Sequence, residues 1–311
     1  RGRASGPVCI FGLGLGRFLG GEYVDNAVLN HCLELIRLRD HDRYLTLLMT
    51  PDAARMTLIP LYAFQTEIAR IRETVSEPML GQIRLQWWRE TIDQLFDGTK
   101  PSGHEVVEAL AVPIAAGLYE REGLQGLIDG REQDLDDGMF RDLPDLLSYL
   151  HSTSMLLMLM AGRALLKEKL GRAFEPEEAE AVQLIGEAYG LTGILRSIGP
   201  MASQGRVMLP ENLLEKHEIE TADILAGTCR PALRALIEEI AGEAETRLVA
   251  ARRVLRKPDL VLLPALFPAC FIGLYLLKVR SRKFEPFLGT GEVLAFRRQL
   301  RLMRCSLSRR F

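Results

Sequence analysis

From residue 25 onward, apolar residues recur at helical spacing, and no run of alternating β-branched residues bounded by turns interrupts them. Thr50, Pro51 and Asp52 predict a helix start, with a capping hydroxyl, a proline in the first turn and then an acid. That helix should kink at Pro60 and stop before Pro78. The same spacing predicts further helices over residues 79–97, 104–120, 142–170, 176–196, 231–256, 258–279 and 287–307. Because the linkers are short and no composition shift marks a boundary, the pattern predicts a single all-α domain.

Two stretches near the carboxyl end have sequences that could contact a membrane. Residues 260–277 carry no charge and reach the lower length limit for crossing a bilayer. Two prolines and flanking charges favour a central core helix, apolar all round because its neighbours bury it. The last stretch interleaves apolar residues with arginines, and it predicts either a helix on an anionic membrane surface or a solvated helix that packs one face. Its arginines are Arg297, Arg298, Arg301, Arg304, Arg309 and Arg310.

The amino-terminal residues do not follow the helical pattern. Residues 8–20 are apolar and glycine-rich, but no strand precedes Gly12, Gly14 and Gly16, so a dinucleotide site is not expected. We therefore predict a poorly ordered leader over residues 1–24, a helical domain over residues 25–290 and a basic helix or tail over residues 291–311.

Composition narrows the function classes. The chain has 311 residues, of which 48% are hydrophobic and 26% charged, so it can bury a sizeable core. A net charge of -2 argues against a nucleic-acid partner. The five cysteines form no C-x-x-C pair and the five histidines no H-x-x-x-H pair, so neither a disulfide framework nor a zinc site is expected.

Three segments carry the residues with chemical potential. In GQIRLQWWRETID (81–93), Trp87 and Trp88 project about 100° apart on a helix, so one should enter the core while the other covers a groove wall. Arg84 lies four residues before Trp88 and can stack on it, and Arg89 lies one position further round. The other two segments are LYAFQTEIARIRETVSEP (61–78) and GILRSIGPMASQGRVMLP (193–210).

The segment 193–210 ends in a glycine–arginine turn at Arg206, a good place to hold a phosphate. However, no carboxylate lies between Leu195 and Pro210 to hold the Mg²⁺ that usually accompanies a diphosphate.

In this order and spacing, the three segments resemble the squalene/phytoene synthase family over roughly residues 30–290. GREQDL (130–135), followed by Tyr149, is similar to the family's middle segment. The resemblance implies an isoprenoid-synthase fold, a helical bundle around a central apolar cavity. It also implies Mg²⁺-dependent head-to-head transfer of prenyl groups. It suggests Arg84, Arg89 and Arg206 as substrate- or phosphate-binding candidates, and Tyr62, Trp87, Trp88 and Tyr149 as cavity residues.

The chain departs from this family where the metal ligands belong. The family holds Mg²⁺ with paired carboxylates on two facing helices. Here the first motif reads Ala69, Arg70 and Glu73, so only one acid remains. In the second motif, the acidic positions hold Ser197, Pro200 and Met201. Besides Glu73, the remaining candidate metal ligand is Asp134, which matches a family acid but, next to Asp136 and Asp137, is equally consistent with an exposed loop charge.

By resemblance, one branch of the family shows the same departures from the acidic motifs. EIARIRETVSEPMLGQIRLQWWRETID (67–93) resembles the branch that contains mitochondrial complex I assembly factor 6 and its alphaproteobacterial relatives. The resemblance implies a non-catalytic helper without a cofactor, with complex I subunits or assembly intermediates as partners. An isoprenoid or lipid ligand and peripheral membrane contact are further expectations.

On this interpretation Arg206 serves folding, by capping helix carbonyls or by pairing with Glu73 or Glu67. The protein would be cytoplasmic and peripheral on the inner membrane in a bacterium, or on the matrix side in a eukaryote. The alternatives are a Mg²⁺-dependent squalene or phytoene synthase of isoprenoid biosynthesis and a lipid-carrying membrane adaptor.

Overall fold

The computed structural model describes residues 24–99, 103–136, 138–228, 231–288 and 293–311. Within these ranges the secondary structure is helical and contains no strand, which confirms the all-α prediction. The predicted leader lies outside the described residues except for its last position, and so does Asp137. The α-helices are α1 (Asn26–Arg39), α2 (His41–Leu48), α3 (Asp52–Ala69), α4 (Ile71–Thr74), α5 (Pro78–Phe96), α6 (Glu105–Ala115), α7 (Arg121–Glu132), α8 (Leu143–Leu150), α9 (Leu156–Leu170), α10 (Pro176–Ser203), α11 (Glu211–Lys216), α12 (Thr221–Leu225), α13 (Pro231–Val254), α14 (Leu263–Leu266), α15 (Ala269–Val279) and α16 (Ala295–Ser308). Short 3-10 turns cover Gln133–Leu135 and Pro286–Leu288, and a π-helical turn covers His151–Met155.

The helix predicted after Thr50 forms as two pieces. Helix α3 ends at Ala69, and Arg70 separates it from α4. The capping prediction for Thr50 is wrong, because its hydroxyl donates to the carbonyl of Thr46 at 2.8 Å and so serves the end of α2. Pro60 lies inside α3, and the helix continues past it.

Helix α10 is the long central element and packs against α13 and α15. It opens with a capping box in which Glu175 and Glu178 satisfy each other's backbone N–H groups. The predicted end at residue 196 is wrong, because α10 runs through Pro200 to Ser203. Pro200 is exposed in the last turn, so it removes one hydrogen bond there without ending the helix. The chain then reverses at Gly205, whose φ is +75°.

The uncharged stretch 260–277 lies in the core. Residues 262–272 are all buried, which confirms the core prediction. A continuous helix over 258–279 is wrong, because the prolines at 264 and 268 leave two helices, the short α14 and the longer α15. Among the described helices, none combines the length and apolar character needed to cross a bilayer.

A π-helical turn, His151–Met155, joins α8 to α9 and packs between α7 and α10. Glycines allow this close approach. A β-carbon on Gly130 of α7 would lie 2.5 Å from the Ser152 carbonyl oxygen. One on Gly186 of α10 would lie 2.5 Å from the Met155 α-carbon. Both neighbours are backbone atoms that cannot move aside without shifting the turn.

We therefore expect Gly186→Ala to destabilise the protein by about 1–3 kcal/mol, through overpacking against backbone. Gly193 of the same helix is the matched control, since a β-carbon there has no heavy atom within 4 Å. Gly193→Ala should stabilise α10 by up to about 1 kcal/mol through helix propensity. Urea denaturation of both variants measures the difference, and equal effects would contradict the close packing.

Candidate functional site

The first motif lies where α3 gives way to α4. Ala69 is the last residue of α3, while Glu73 lies in α4 and is exposed, so the two do not stack on one continuous helix. Both line a cavity of about 350 Å³. Its other lining residues are Leu38, Arg39, Asp40, Arg43, Gln65, Thr66, Arg70 and Arg131. With four arginines against two acids, this cavity is polar and cationic.

Arg43 occupies the interior between the two motif-bearing helices. Its guanidinium lies 5.5 Å from the ring centroid of Tyr62 on α3 and 5.6 Å from that of Tyr189 on α10. It forms an ion pair with Asp40. Burial would lower the pKa of Arg43, yet Asp40 and the two tyrosines hold it above its ordinary value. Burial also raises the pKa of Tyr62 to about 12. At this level a charged guanidinium therefore lies between two aromatic rings, where the resemblance led us to expect an apolar cavity.

A second buried network surrounds Asp134. Arg131 Nη1 donates to Asp134 Oδ2 and to the Tyr149 hydroxyl oxygen, each at 3.0 Å. The Tyr149 hydroxyl donates to Asp134 Oδ1 at 2.8 Å. The Gln65 amide oxygen, with the amide oriented to suit its neighbours, accepts from Arg131. Since Asp134 is only 7% exposed, the exposed loop charge considered from the sequence is wrong.

Arg206 joins the same network. Its Nη2 lies 3.9 Å from Asp134 Oδ1, so the expected pairing with Glu73 or Glu67 is wrong. The reason is the turn at Gly205, which folds the chain back so that the Arg206 N–H bonds the Met201 carbonyl at 2.9 Å. That reversal directs the side chain toward the 3-10 turn Gln133–Leu135 rather than toward α4.

The second motif offers no polar surface to the cavity beside Ala69. The Ser197 hydroxyl donates to the Ile194 carbonyl of its own helix at 3.0 Å, Pro200 is exposed and Met201 is half-buried. A β-carbon on Gly199 would lie 2.1 Å from the Pro286 carbonyl oxygen, so this turn of α10 packs on backbone. The apolar void beside Ile194 and Ile198 has a volume of about 10 Å³, room for one water at most.

Arg196 of this motif enters a third cluster, around Asp42. Arg196 Nη1 lies 3.1 Å from Asp42 Oδ2, and its guanidinium lies 3.5 Å from the Tyr275 ring centroid. The Tyr275 hydroxyl donates to Asp42 at 2.7 Å, and Arg298 Nη1 of α16 donates to it at 2.6 Å. Burial would raise the pKa of Asp42, yet Arg196, the Tyr275 hydroxyl and Arg298 together hold it below its usual value.

The tryptophan helix forms a separate groove. Trp88 is 3% exposed and meets Phe64 edge-on at 5.1 Å, while Trp87 is 44% exposed, as their angular separation predicts. Arg84 donates to the Thr74 hydroxyl at 2.6 Å. Arg89 is held by Asp129 at 2.8 Å and by Glu132 at 2.6 Å. Arg84, Trp87 and Trp88 line a groove of about 270 Å³. Arg89 is engaged in ion pairs on the α7 side.

Comparison with known proteins now identifies the family. The model of the family described as squalene/phytoene synthase matches residues 36–305. The chain belongs to the squalene/phytoene synthase family. It is 29% identical to the bovine NADH dehydrogenase (ubiquinone) complex I assembly factor 6, over 91% of this chain and 81% of the relative. It is 25% identical to a 15-cis-phytoene synthase of Synechococcus elongatus, over 69% of this chain and 71% of that enzyme.

Solved structures show the same fold. A dehydrosqualene synthase structure superposes with a TM-score of 0.78 and 20% identity, over 91% of this chain and 96% of that one. At this identity the likeness carries the architecture alone, an isoprenoid-synthase bundle. The expected fold class is thereby confirmed.

Against this fold, the donor set does not fit Mg²⁺. Within the described ranges, no group of three or more His, Cys, Asp or Glu side chains is placed to hold a metal ion. Of the two acids that sequence comparison leaves, Glu73 is exposed beside arginines, and Asp134 is engaged by Arg131, Tyr149 and Arg206. Mg²⁺ at a diphosphate is held by one or two free carboxylates with water and phosphate oxygens, whereas both Asp134 oxygens already accept hydrogen bonds and Glu73 stands alone among arginines, so these residues do not fit its site.

Several residues at the centre of the site carried no signal in the sequence analysis. Arg43 and Asp42 belong to none of the segments identified in the sequence, and they contact residues of other helices. Gln65 lies within the segment 61–78, but its partner Arg131 lies on α7. Arg131 lies within GREQDL and Arg196 within the second motif, so the sequence placed both arginines in segments that we had identified as candidates. Arg298 was grouped with the tail, but its side chain is only 11% exposed.

The Asp42 cluster makes stability depend on pH. Because its folded pKa lies below the unfolded value, Asp42 stabilises the fold fully above about pH 4, and this contribution is lost as pH falls through the folded pKa. Asp42→Asn should cost roughly 3–5 kcal/mol at pH 7, since it leaves Arg196 and Arg298 buried without an anion.

Urea titrations at pH 7 and at progressively lower pH measure this cost, which should shrink in acid. The exposed pair of Glu34 and Arg37 supplies the control, and Glu34→Gln should change stability by about 0.5 kcal/mol or less. A penalty for Asp42→Asn that stayed constant with pH would contradict the ion-pair assignment.

Proposed function

We propose that this protein is a non-catalytic factor in the assembly or maturation of respiratory complex I, built on the prenyltransferase fold. One observation carries the proposal: the space between α3 and α10 holds Arg43 between Tyr62 and Tyr189 instead of facing carboxylates. The likeness to complex I assembly factor 6 supports the choice of partner, namely complex I subunits or assembly intermediates.

Chemistry supports the loss of activity. Ionising a prenyl diphosphate requires cations that neutralise the leaving group and a dry apolar chamber that shields the allylic cation. The arginines here do carry positive charge, but Arg43 is paired with Asp40, and Arg131 with Asp134. Beside the second motif the apolar void measures about 10 Å³, far less than a prenyl chain needs.

We place the protein's action at the inner face of the respiratory membrane, cytoplasmic in a bacterium and on the matrix side in a mitochondrion. This location follows from the proposed partner, since a complex I assembly factor must meet subunits of a membrane-embedded enzyme. No resident cofactor is needed for such a role.

The purified full chain should release no pyrophosphate from farnesyl or geranylgeranyl diphosphate in the presence of Mg²⁺. The physical reason is the absence of paired carboxylates in both motifs. A coupled pyrophosphate assay and product extraction measure this, with an active phytoene synthase as positive control. Release of pyrophosphate together with squalene or phytoene would establish the prenyltransferase alternative.

In the native host, removal of the gene should lower NADH oxidation by complex I and the amount of assembled complex. Reintroducing the gene with the substitution Glu73→Gln should restore both the NADH oxidation and the amount of complex fully, because Glu73 holds no metal ion. Arg43→Ala, which empties the space between α3 and α10, should restore them poorly. Restoration that fails with Glu73→Gln while the variant stays folded would favour an enzyme over a helper.

A further inference from the structure

Helix α16 presents three distinct faces. Leu302 and Cys305 are buried against the body of the protein, as is Arg298 on its Asp42 partner. On the opposite side, four large apolar residues point outward within an arc of about 60°, at about 100° per residue. We call these residues the α16 stripe: Phe296, Leu300, Met303 and Leu307, which are 71%, 46%, 49% and 83% exposed. An apolar face directed away from the core needs a partner outside the described chain.

A basic cleft runs beside this stripe. It has a volume of about 530 Å³ and lies between α16 and the carboxyl end of α13. Among the residues that the structure describes, no Asp or Glu side chain lines it. We call it the arginine cleft, and its lining residues are Arg252, Leu255, Arg256, Arg301, Arg304, Cys305, Ser308, Arg310 and Phe311. Around the helix axis, Arg304 and then Arg301 come directly after the apolar arc, so the stripe and the cleft are adjacent.

The cleft carries more positive than negative charge, because five arginines line it against the single main-chain terminus of Phe311. Arg252 Nε donates to the Phe311 carbonyl oxygen at 2.8 Å, and Arg301 Nε donates to the Cys270 carbonyl oxygen at 3.2 Å. Across the described ranges, none of the cleft arginines is within ion-pair distance of an Asp or Glu side chain. The arginines inside the bundle, Arg43, Arg131, Arg196 and Arg298, differ, because each has an acid. Burial, together with Arg301, lowers the pKa of Arg252.

These two features have one ligand chemistry in common. Uncompensated guanidinium groups bind phosphate oxygens, often through two hydrogen bonds. A phosphate alone would leave the stripe exposed, and an apolar partner alone would leave the cleft charged. An anionic phospholipid surface satisfies both, with phosphate groups beside an acyl boundary that receives the apolar face of a surface helix.

We propose that the α16 stripe and the arginine cleft form a docking surface for an anionic phospholipid bilayer. The cleft holds a lipid phosphate, and the stripe enters the boundary between headgroups and acyl chains. Helix α16 lies flat on the membrane, and the Asp42–Arg298 pair fastens it to the bundle. This surface goes beyond the proposed function, since its membrane binding does not depend on any role in complex I.

Co-sedimentation of the full chain with vesicles tests the surface. Binding should be strong to vesicles that contain phosphatidylglycerol, weak to phosphatidylcholine alone, and reduced by added salt. Arg256→Gln combined with Arg304→Gln should weaken binding roughly fivefold for each arginine removed. Arg141→Gln combined with Arg163→Gln, which removes the same charge from exposed ion-paired sites, is the control and should bind like the unmodified chain.

A second pair of variants tests the α16 stripe. Leu300→Ser combined with Met303→Ser should weaken binding at least tenfold, since each side chain loses its burial in the membrane. Leu170→Ser combined with Leu225→Ser removes side chains of comparable exposure, 45% and 43%, from other helices and should have no effect. Circular dichroism checks that all variants stay folded.

Three outcomes would overturn the proposal. Equal binding to both vesicle types would remove the role of the arginines. The second outcome combines two results: the Leu300/Met303 variant binds vesicles normally, and inorganic phosphate competes with vesicle binding at constant ionic strength. Together they would make the cleft a site for a free phosphate compound. No binding to either vesicle would leave a protein partner as the occupant of the stripe.

Discussion

A buried guanidinium keeps its proton, so every arginine inside this bundle needs an anion or an aromatic face beside it. Three such arrangements hold the centre together: Arg43 with Asp40, Arg131 with Asp134, and Asp42 with Arg196 and Arg298. The first two are pairs three residues apart in the sequence, whereas the Asp42 cluster joins α2, α10 and α16 and so helps to set how these three helices lie relative to one another. Removing one acid would leave a charge in the interior, which costs more than the lost contact alone.

The stability of the fold does not rest on the motif positions. The bundle's stability comes from apolar packing along α10, α13 and α15, and the motif positions contribute little to it. Ala69 and Ser197 lie outside the hydrophobic core. The arginines inside the bundle are instead paired with acids of the chain itself. A fold can be kept while the chemistry of its site changes, because the site involves only a few of the residues that form the fold.

The arginines of α16 show how position changes the meaning of one residue type. Arg298 points inward and pairs with Asp42, while Arg301 and Arg304 line a cleft in which the described part of the chain places no acidic side chain. On a helical wheel these residues are separated by a fraction of a turn, and in the sequence they belong to the same basic run. Only the side on which α15 packs distinguishes the structural arginine from those left open to a ligand.

Local pattern determined a good part of this protein. Helical spacing identified the all-α class, and two prolines with flanking charges predicted that residues 260–277 lie in the core. The absence of acids at Ala69, Ser197 and Met201 was predicted from the resemblance to the family. Tertiary structure decided the rest. Arg43 and Tyr189, or Asp42 and Arg298, meet because helices far apart in sequence pack side by side. The end of α10 and the partner of Arg206 were also decided there. Helix periodicity reflects bonds between residues four apart, whereas an ion pair between helices depends on their packing register, which no single stretch of sequence contains.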